Sequence, residues 1–352
     1  MRLLKIPLIA LSALLISASH LAFAPVVETA EAATTSRIAG SDRYATSVAV
    51  AKRLPEYPRT VFLASGTKFP DALAAGPVAA AERAALLLTL PNTLPGVVRD
   101  EIQRINPEEI VIVGSDASIS TQVEDELRSM SDATLTRIGG SDRVETSLLL
   151  ADRLTQSGPI GSVWVVAGGN YPDALAASSI AGRERGAVIL DVHATGEAGT
   201  VEWIKRVQHV YRNTPVVIAG GEPSISAYDE LRIRISGPSS VTRVAGTDRY
   251  QTAIALNNRY PAANPERQML LATGQNFPDA LAASVLAASR QTPLYLAPTG
   301  CNTGIAAQLR AVRDSTGINE VVGLGSPASL SDQALRMEAC PAPPKPKPVT
   351  PT

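Results

Sequence analysis

The sequence predicts an α/β protein of three tandem repeats, each a small parallel β-sheet flanked by helices of Rossmann-like or Toprim-like kind. Three observations predict it. The stretch Arg37-Ile-Ala-Gly-Ser-Asp-Arg-Tyr-Ala-Thr46 returns as Arg137-Ile-Gly-Gly-Ser-Asp-Arg-Val-Glu-Thr146 and as Arg243-Val-Ala-Gly-Thr-Asp-Arg-Tyr-Gln-Thr252, at offsets of 100 (137 − 37) and 106 (243 − 137) residues. A period of that size is a small domain and not a solenoid unit. Within each period, apolar runs of strand length alternate with segments of helix length, which implies right-handed crossovers and a parallel sheet. The chain has 352 residues, 45% hydrophobic and 4% aromatic, enough for two or three domains with aliphatic cores. The expected bounds are 33–131, 132–237 and 238–340, each unit with its own core. Short links between them point to packing with pseudo-threefold symmetry.

Each repeat carries four stations in the same order. The opening stretch follows a short β-type run such as Leu135–Ile138 or Val241–Val244, and turns at a glycine into an amphipathic segment such as Arg43–Leu54. Ser41, Ser141 and Thr247 suit the helix N-cap, and Asp42, Asp142 and Asp248 the positive first turn. The second station pairs a buried run (Val61–Gly66, Val163–Gly168, Leu270–Gly274) with Phe69-Pro-Asp-Ala-Leu-Ala-Ala75, Tyr171-Pro-Asp-Ala-Leu-Ala-Ala177 or Phe277-Pro-Asp-Ala-Leu-Ala-Ala283. Such a run reads as a strand covered on both faces, and proline suits the first helical position. The aromatic stands where a cap is expected, in all three copies, so something other than capping keeps it there. The third station is another buried strand: Ala85–Thr89, Ala187–Asp191 and Pro293–Ala297. The fourth is Ile110–Gly114, Val216–Gly220 and Val321–Gly325, leading to Ser120, Ser226 or Ser331 as caps; Ser226 with Asp229 resembles a capping box.

Both ends read as something other than fold. Arg2 and Lys5, the apolar run Ile6–Ala18 and Ala30-Glu-Ala32 form a signal-peptide pattern over residues 1–32. That apolar run is short for a bilayer, which needs ~20 residues, so the mature chain is expected to be exported and soluble, with no transmembrane segment. From Pro341 the chain is a Pro/Lys-rich tail, extended and expected to be disordered. Export permits a disulfide between Cys301 and Cys340, the chain's two cysteines; two buried thiols are the alternative. The chain-entropy model puts such a bridge at about 3–4 kcal/mol.

Net charge is −1. No global field exists to attract an anionic polymer, so any such attraction must be local, and a general nucleic-acid binder is disfavoured. Asp42 with Asp71, and their equivalents, can be imagined as a glycosidase carboxylate pair; three copies would make three active sites, whereas triplication suits avidity. Neither a Gly-x-Ser-x-Gly elbow nor a His-Glu-x-x-His helix is present. His193 and His209 lie only in the second repeat, away from the recurring stations. No cofactor or metal is expected.

The recurring cations are Arg37, Arg137 and Arg243, with Arg43, Arg143 and Arg249. A guanidinium fork suits phosphate or carboxylate on a polymer. Equally, the second arginine of each stretch can pair with the recurring Pro-Asp carboxylate and fix two helix starts together. The helix starts after the station glycines are further anion cradles or ordinary turns. Phe69, Tyr171 and Phe277 read as packing residues or as stacking surfaces for a sugar.

The Arg-x-x-Gly-[Ser/Thr]-Asp-Arg opening, the aromatic-Pro-Asp-Ala-Leu-Ala-Ala segment and the strand-Gly-loop-Ser segment, three times in register over residues 34–340, resemble the cell-wall-binding repeat type 2 family of exported proteins of Gram-positive bacteria. The resemblance implies non-covalent attachment to the cell wall, with its peptidoglycan, through anionic secondary polymers of teichoic-acid-like kind, without catalysis by the repeats. It also implies an anchoring role for a short aliphatic triplet, matched nearest by Leu86-Leu-Leu88 and, with a departure, by Leu294-Tyr-Leu296. Many relatives join the triplet of repeats to an effector domain, whereas this chain has only a leader and a tail outside them. Two alternatives remain: a subunit that localises a separate wall hydrolase, and a peptidoglycan hydrolase in its own right.

Overall fold

The computed structural model of the chain describes residues 33–191 and 197–341. The leader, the tail from residue 342 and His193 lie outside the described residues. The first round of elements is β1 (Thr34–Ile38), α1 (Arg43–Ala51), β2 (Thr60–Ser65), α2 (Pro70–Ala81), β3 (Ala85–Thr89), α3 (Gly96–Ile105), β4 (Glu109–Val113) and α4 (Thr121–Met130). The second is β5 (Thr134–Ile138), α5 (Arg143–Gln156), β6 (Val163–Ala167), α6 (Pro172–Arg183), β7 (Ala187–Asp191), α7 (Glu197–Tyr211), β8 (Pro215–Ala219) and α8 (Ala227–Ile235). The third is β9 (Ser240–Val244), α9 (Arg249–Arg259), β10 (Gln268–Thr273), α10 (Pro278–Ser289), β11 (Leu294–Ala297), α11 (Thr303–Thr316), β12 (Glu320–Leu324) and α12 (Asp332–Leu335).

Three four-stranded parallel sheets result, as expected, but no sheet takes all its strands from one repeat. Their orders are β3-β2-β4-β5, β7-β6-β8-β9 and β1-β12-β10-β11. The opening strand of each repeat is the edge of the preceding repeat's sheet. Residues 131–133 between α4 and β5 span at most roughly 10 Å, so β5 lands beside β4, pairing Glu109 with Thr134 through Val113 with Ile138. The same rule closes the ring: β1 pairs with β12, Thr34 opposite Glu320 and Ile38 opposite Leu324. An edge position also fits the sequence, because only Ile38 of β1 is buried.

The core is shared too, contrary to one core per repeat. Helices α2, α6 and α10 pack against one another at the centre, and residues from all three form one buried cluster with the facing sheets. The sequence demands this: the run from Ala72 to Ala79 is small and apolar all round, and every residue of it is buried, so the helix has no face for water. The fit is close. A Cβ on Gly182 would stand 2.8 Å from the Ala288 Cβ and 3.0 Å from the Ala80 Cβ. Pro77, inside α2, has no N–H for the Leu73 carbonyl one turn back. That carbonyl accepts instead from Ser178 Oγ of α6, at 2.9 Å in the buried interior.

At the amino ends of these helices Phe69, Tyr171 and Phe277 meet, with ring centroids 5.4, 5.7 and 5.7 Å apart. This mutual edge packing is what holds an aromatic at each cap position. Farther out, Val98, Ile102, Val123 and Leu127 form a satellite core under β2–β5. Cys301 and Cys340 are bridged, with Cα atoms 5.3 Å apart, pinning the segment after α12. Among the described residues no helix is long and apolar enough to cross a membrane.

Candidate functional site

At the carboxyl ends of the strands, where open parallel sheets gather ligands, the three opening stretches build one local structure. Gly40 is required because a Cβ there would lie 2.3 Å from Ala45; its N–H donates to Thr46 Oγ1 at 3.1 Å. Gly140 and Gly246 do the same with Thr146 and Thr252. The helix cap is Asp42, Asp142 or Asp248, not the Ser or Thr before it. Asp42 accepts from the N–H groups of Tyr44 and Ala45, Asp142 from Glu145, and Asp248 from Tyr250 and Gln251. With the turn closed tightly on its glycine, the cap falls one residue later than local preference suggests. Ser226 caps α8 with Asp229 as a full capping box and Ser331 caps α12, whereas Ser120 makes no such bond.

Each capped helix covers a polar niche supplied by the preceding repeat. Asp71, at the start of α2, accepts from Ser118 Oγ at 2.9 Å and faces Thr146 and Arg143 of the second repeat. Asp173 has Ser224, Thr252 and Arg249, and Asp279 has Ser329, Thr46 and Arg43. Burial pushes all three carboxyls above the usual Asp range, against the pull of the Ser and Thr hydroxyls and the arginine charge. The glycines before these loops sit at positive φ, Gly325 at 87°, and a Cβ there would stand 2.1 Å from Asp279 Oδ2. At the ring-closing junction the niche opens into a cavity of about 250 Å³ lined by Asp42, Arg43, Thr46, Asn276, Asp279 and Ser329.

The carboxylates of one repeat therefore do not pair with each other: the niche that Asp42 borders holds Asp279, and Asp71 meets the second repeat. The expected contact of Arg43, Arg143 and Arg249 with a Pro-Asp carboxylate exists as a charge interaction across the junction. Their hydrogen bonds go to carbonyls: Arg43 Nη1 to Gly66 at 2.6 Å, Arg249 Nη1 to Gly274 at 2.6 Å, and Arg143 Nη1 to Gly168. Arg43 also lies 5.8 Å from the Phe277 ring centroid. Each of the three arginines thus keeps donors to spare beyond its carbonyl bond.

Arg37, Arg137 and Arg243 are placed differently. Arg137 donates to the Gly114 and Ile119 carbonyls and, through Nε and Nη2, to Glu124. Arg243 bonds Gly220, Ser226 and Glu230, and Arg37 bonds Gly325 and Asp332. These arginines tie the edge strand to the sheet it joins. The aliphatic triplets Leu86–Leu88 and Leu294–Leu296 are buried. Burial also pushes the Tyr295 hydroxyl up to about 12.

Two features escaped sequence reasoning. The niche hydroxyls Ser118, Ser224 and Ser329 stand four residues after Gly114, Gly220 and Gly325, a spacing that was there to be read. The three junctions also differ. Arg206 of α7 grips Asp142 at 2.9 and 3.1 Å, holding that carboxyl below its usual range. Lys68 reaches the Ala117 carbonyl at 2.7 Å, where the other junctions have Asn170 and Asn276. Among the described residues no cluster of His, Cys, Asp and Glu could hold a metal ion.

The ring of three α/β repeats thus sets its recurring polar and cationic side chains at the three junctions. The chain belongs to the cell wall binding domain 2 family, whose model matches residues 37–124, 137–229 and 243–335. It is 25% identical over 260 residues to the N-acetylmuramoyl-L-alanine amidase LytC of Bacillus subtilis, covering 74% of this chain and 49% of the amidase. To the amidase enhancer of the same organism it is 29% identical over 263 residues, covering 74% of this chain and 34% of the enhancer. The chain thus spans half or less of these relatives' length. Cwp6 from Clostridium difficile shares the fold at TM-score 0.72 and 23% identity, over 88% of this chain and 48% of that one. Cwp8 does so at 0.72 and 24%, over 86% and 51%.

Proposed function

We propose that the protein is an exported, non-catalytic wall-binding protein held by anionic secondary polymer at the three repeat junctions. The observation that carries this is the threefold recurrence of Arg43, Arg143 and Arg249, each with one bond to a carbonyl and donors to spare, around the carboxyl-end face. On this reading Arg37, Arg137 and Arg243 hold the framework and the second set meets phosphate or carboxylate groups of the polymer. Weak sites joined by one polymer multiply in strength only when several engage. The carboxylates Asp42, Asp142 and Asp248 act as caps.

A second reading is favoured by the names of the relatives, an amidase and an amidase enhancer: the chain localises a wall hydrolase by binding wall and enzyme together. Sedimentation with purified walls tests the first reading. Binding should fall with rising salt, and replacing Arg43, Arg143 and Arg249 with Gln one after another should reduce it in steps. Retention on walls stripped of anionic polymer would sink the polymer reading. Release of soluble sugar or peptide by the purified protein would sink the non-catalytic one, and co-purification of a hydrolase supports the second reading.

A further inference from the structure

The three seams of the ring place different chemistry at equivalent positions. At the first, Arg153 at the end of α5 donates to Glu82 at 2.7 and 2.8 Å and to Glu109 at 2.9 and 2.7 Å, and lies 5.4 Å from the Phe62 ring centroid. At the second, the corresponding residues are Arg259, Glu184, Pro215 and Trp164, and Trp164 packs edge-on against Tyr260 at 5.0 Å. At the seam that closes the ring they are Arg53, Arg290, Glu320 and Leu270. The acid that corresponds to Glu82 has become a second arginine, and the large ring has become a leucine.

That exchange leaves a cavity of about 130 Å³, lined among others by Ser36, Arg37, Arg53, Leu270, Arg290 and Glu320. Glu320 does not fill the missing role, because it accepts from Ser36 Oγ and Gln268 Nε2, both at 2.7 Å. Arg290 donates to the Arg53 carbonyl and to Glu266, and Arg37 is held by Gly325 and Asp332. Nothing among the described residues bonds or pairs with the Arg53 guanidinium. Two arginines, Arg53 and Arg290, meet one acid, Glu320, at this cavity, whereas the first seam sets Arg153 against two acids, Glu82 and Glu109. That reversal of charge favours an anion there.

We propose that the closing seam binds a phosphate-class oxyanion between Arg53 and Arg290, in the role that the Glu82 carboxylate plays at the first seam. The cavity admits a tetrahedral anion. It lies at the amino ends of β10 and β12, on the face opposite the three niches, and so is independent of the wall-binding reading. Bound there, the anion would join the third repeat to the first and stabilise the closed ring.

Thermal unfolding of the full chain in inorganic phosphate and in chloride at matched ionic strength tests this. The wild type should gain a saturable rise in Tm with phosphate, and calorimetric titration should find one site per chain. Arg53→Gln should weaken phosphate binding about tenfold or more, as loss of a charge-assisted contact implies. Arg290→Glu, which restores the acid of the first seam, should raise Tm in chloride and abolish the phosphate response. No phosphate response in the wild type, or an equal response in both variants, overturns the proposal. A glycerol phosphate oligomer separates the sources: a shift with phosphate alone assigns the free ion, and one with both assigns a phosphate ester.

Discussion

Replacing Ser178 with alanine removes one hydroxyl from the centre of the ring and leaves the Leu73 carbonyl with no donor. Pro77 cannot supply the missing helical N–H, and Ser178 Oγ, at 2.9 Å, is the donor that reaches across from the next repeat. Ser178 is 1% exposed and Leu73 fully buried, so water does not substitute. A buried carbonyl left unsatisfied costs about 1–3 kcal/mol. Chemical denaturation of Ser178→Ala should show a loss of that size. The decisive measurement is the double-mutant cycle with Pro77→Ala. An alanine N–H at position 77 restores the helical bond to Leu73, so the Ser178 substitution should then cost much less. Additivity within about 0.5 kcal/mol would refute the reasoning, because it would mean that the hydroxyl and the proline do not act on the same carbonyl.

Three further outcomes are expected. Asp279 ionises near 3.8 in a free chain and higher in the fold, so its stabilising contribution is full below that pH and is lost as pH rises through the folded value. Asp279→Asn should therefore gain stability relative to the wild type between about pH 4 and 7 and show no gain at more acid pH, as read by denaturation across that range. Arg153→Ala leaves Glu82 and Glu109 facing each other and, for a half-buried network, should cost about 1–3 kcal/mol; the loss should be smaller when Glu82 is changed to Gln as well. Reduction of the Cys301–Cys340 bridge, which spans 39 residues, should lower stability by about 3–4 kcal/mol, seen as an earlier denaturation midpoint in reductant.

Much of the fold is written locally. Apolar runs such as Val61–Ser65 and Ala85–Thr89 are buried strands, and Ser226 with Asp229 forms its capping box, because each depends on neighbours within a few residues. The cap of α1 was misread by one residue, since Ser41 and Asp42 are both good caps and the choice lies with the close turn at Gly40. The recurring arginines look alike in sequence, Arg37 and Arg43 alike recurring three times. Their separation into strand ties and open donors depends on which carbonyls and carboxylates arrive from another repeat.

The sequence by itself determined that there are three copies of an α/β unit and the order of strands and helices within each. Only the tertiary structure decided who shares with whom. It gave each sheet an edge strand from the next repeat, closed β1 on β12, and brought Phe69, Tyr171 and Phe277 into one cluster. The physical reason is one of range. Propensity, capping and hydrophobic periodicity act over a few residues, whereas the junctions join residues as distant as Asp71 and Thr146, or Thr34 and Glu320. There, short links and the burial of three small-residue helices leave the opening stretch of each repeat at the seam with its neighbour.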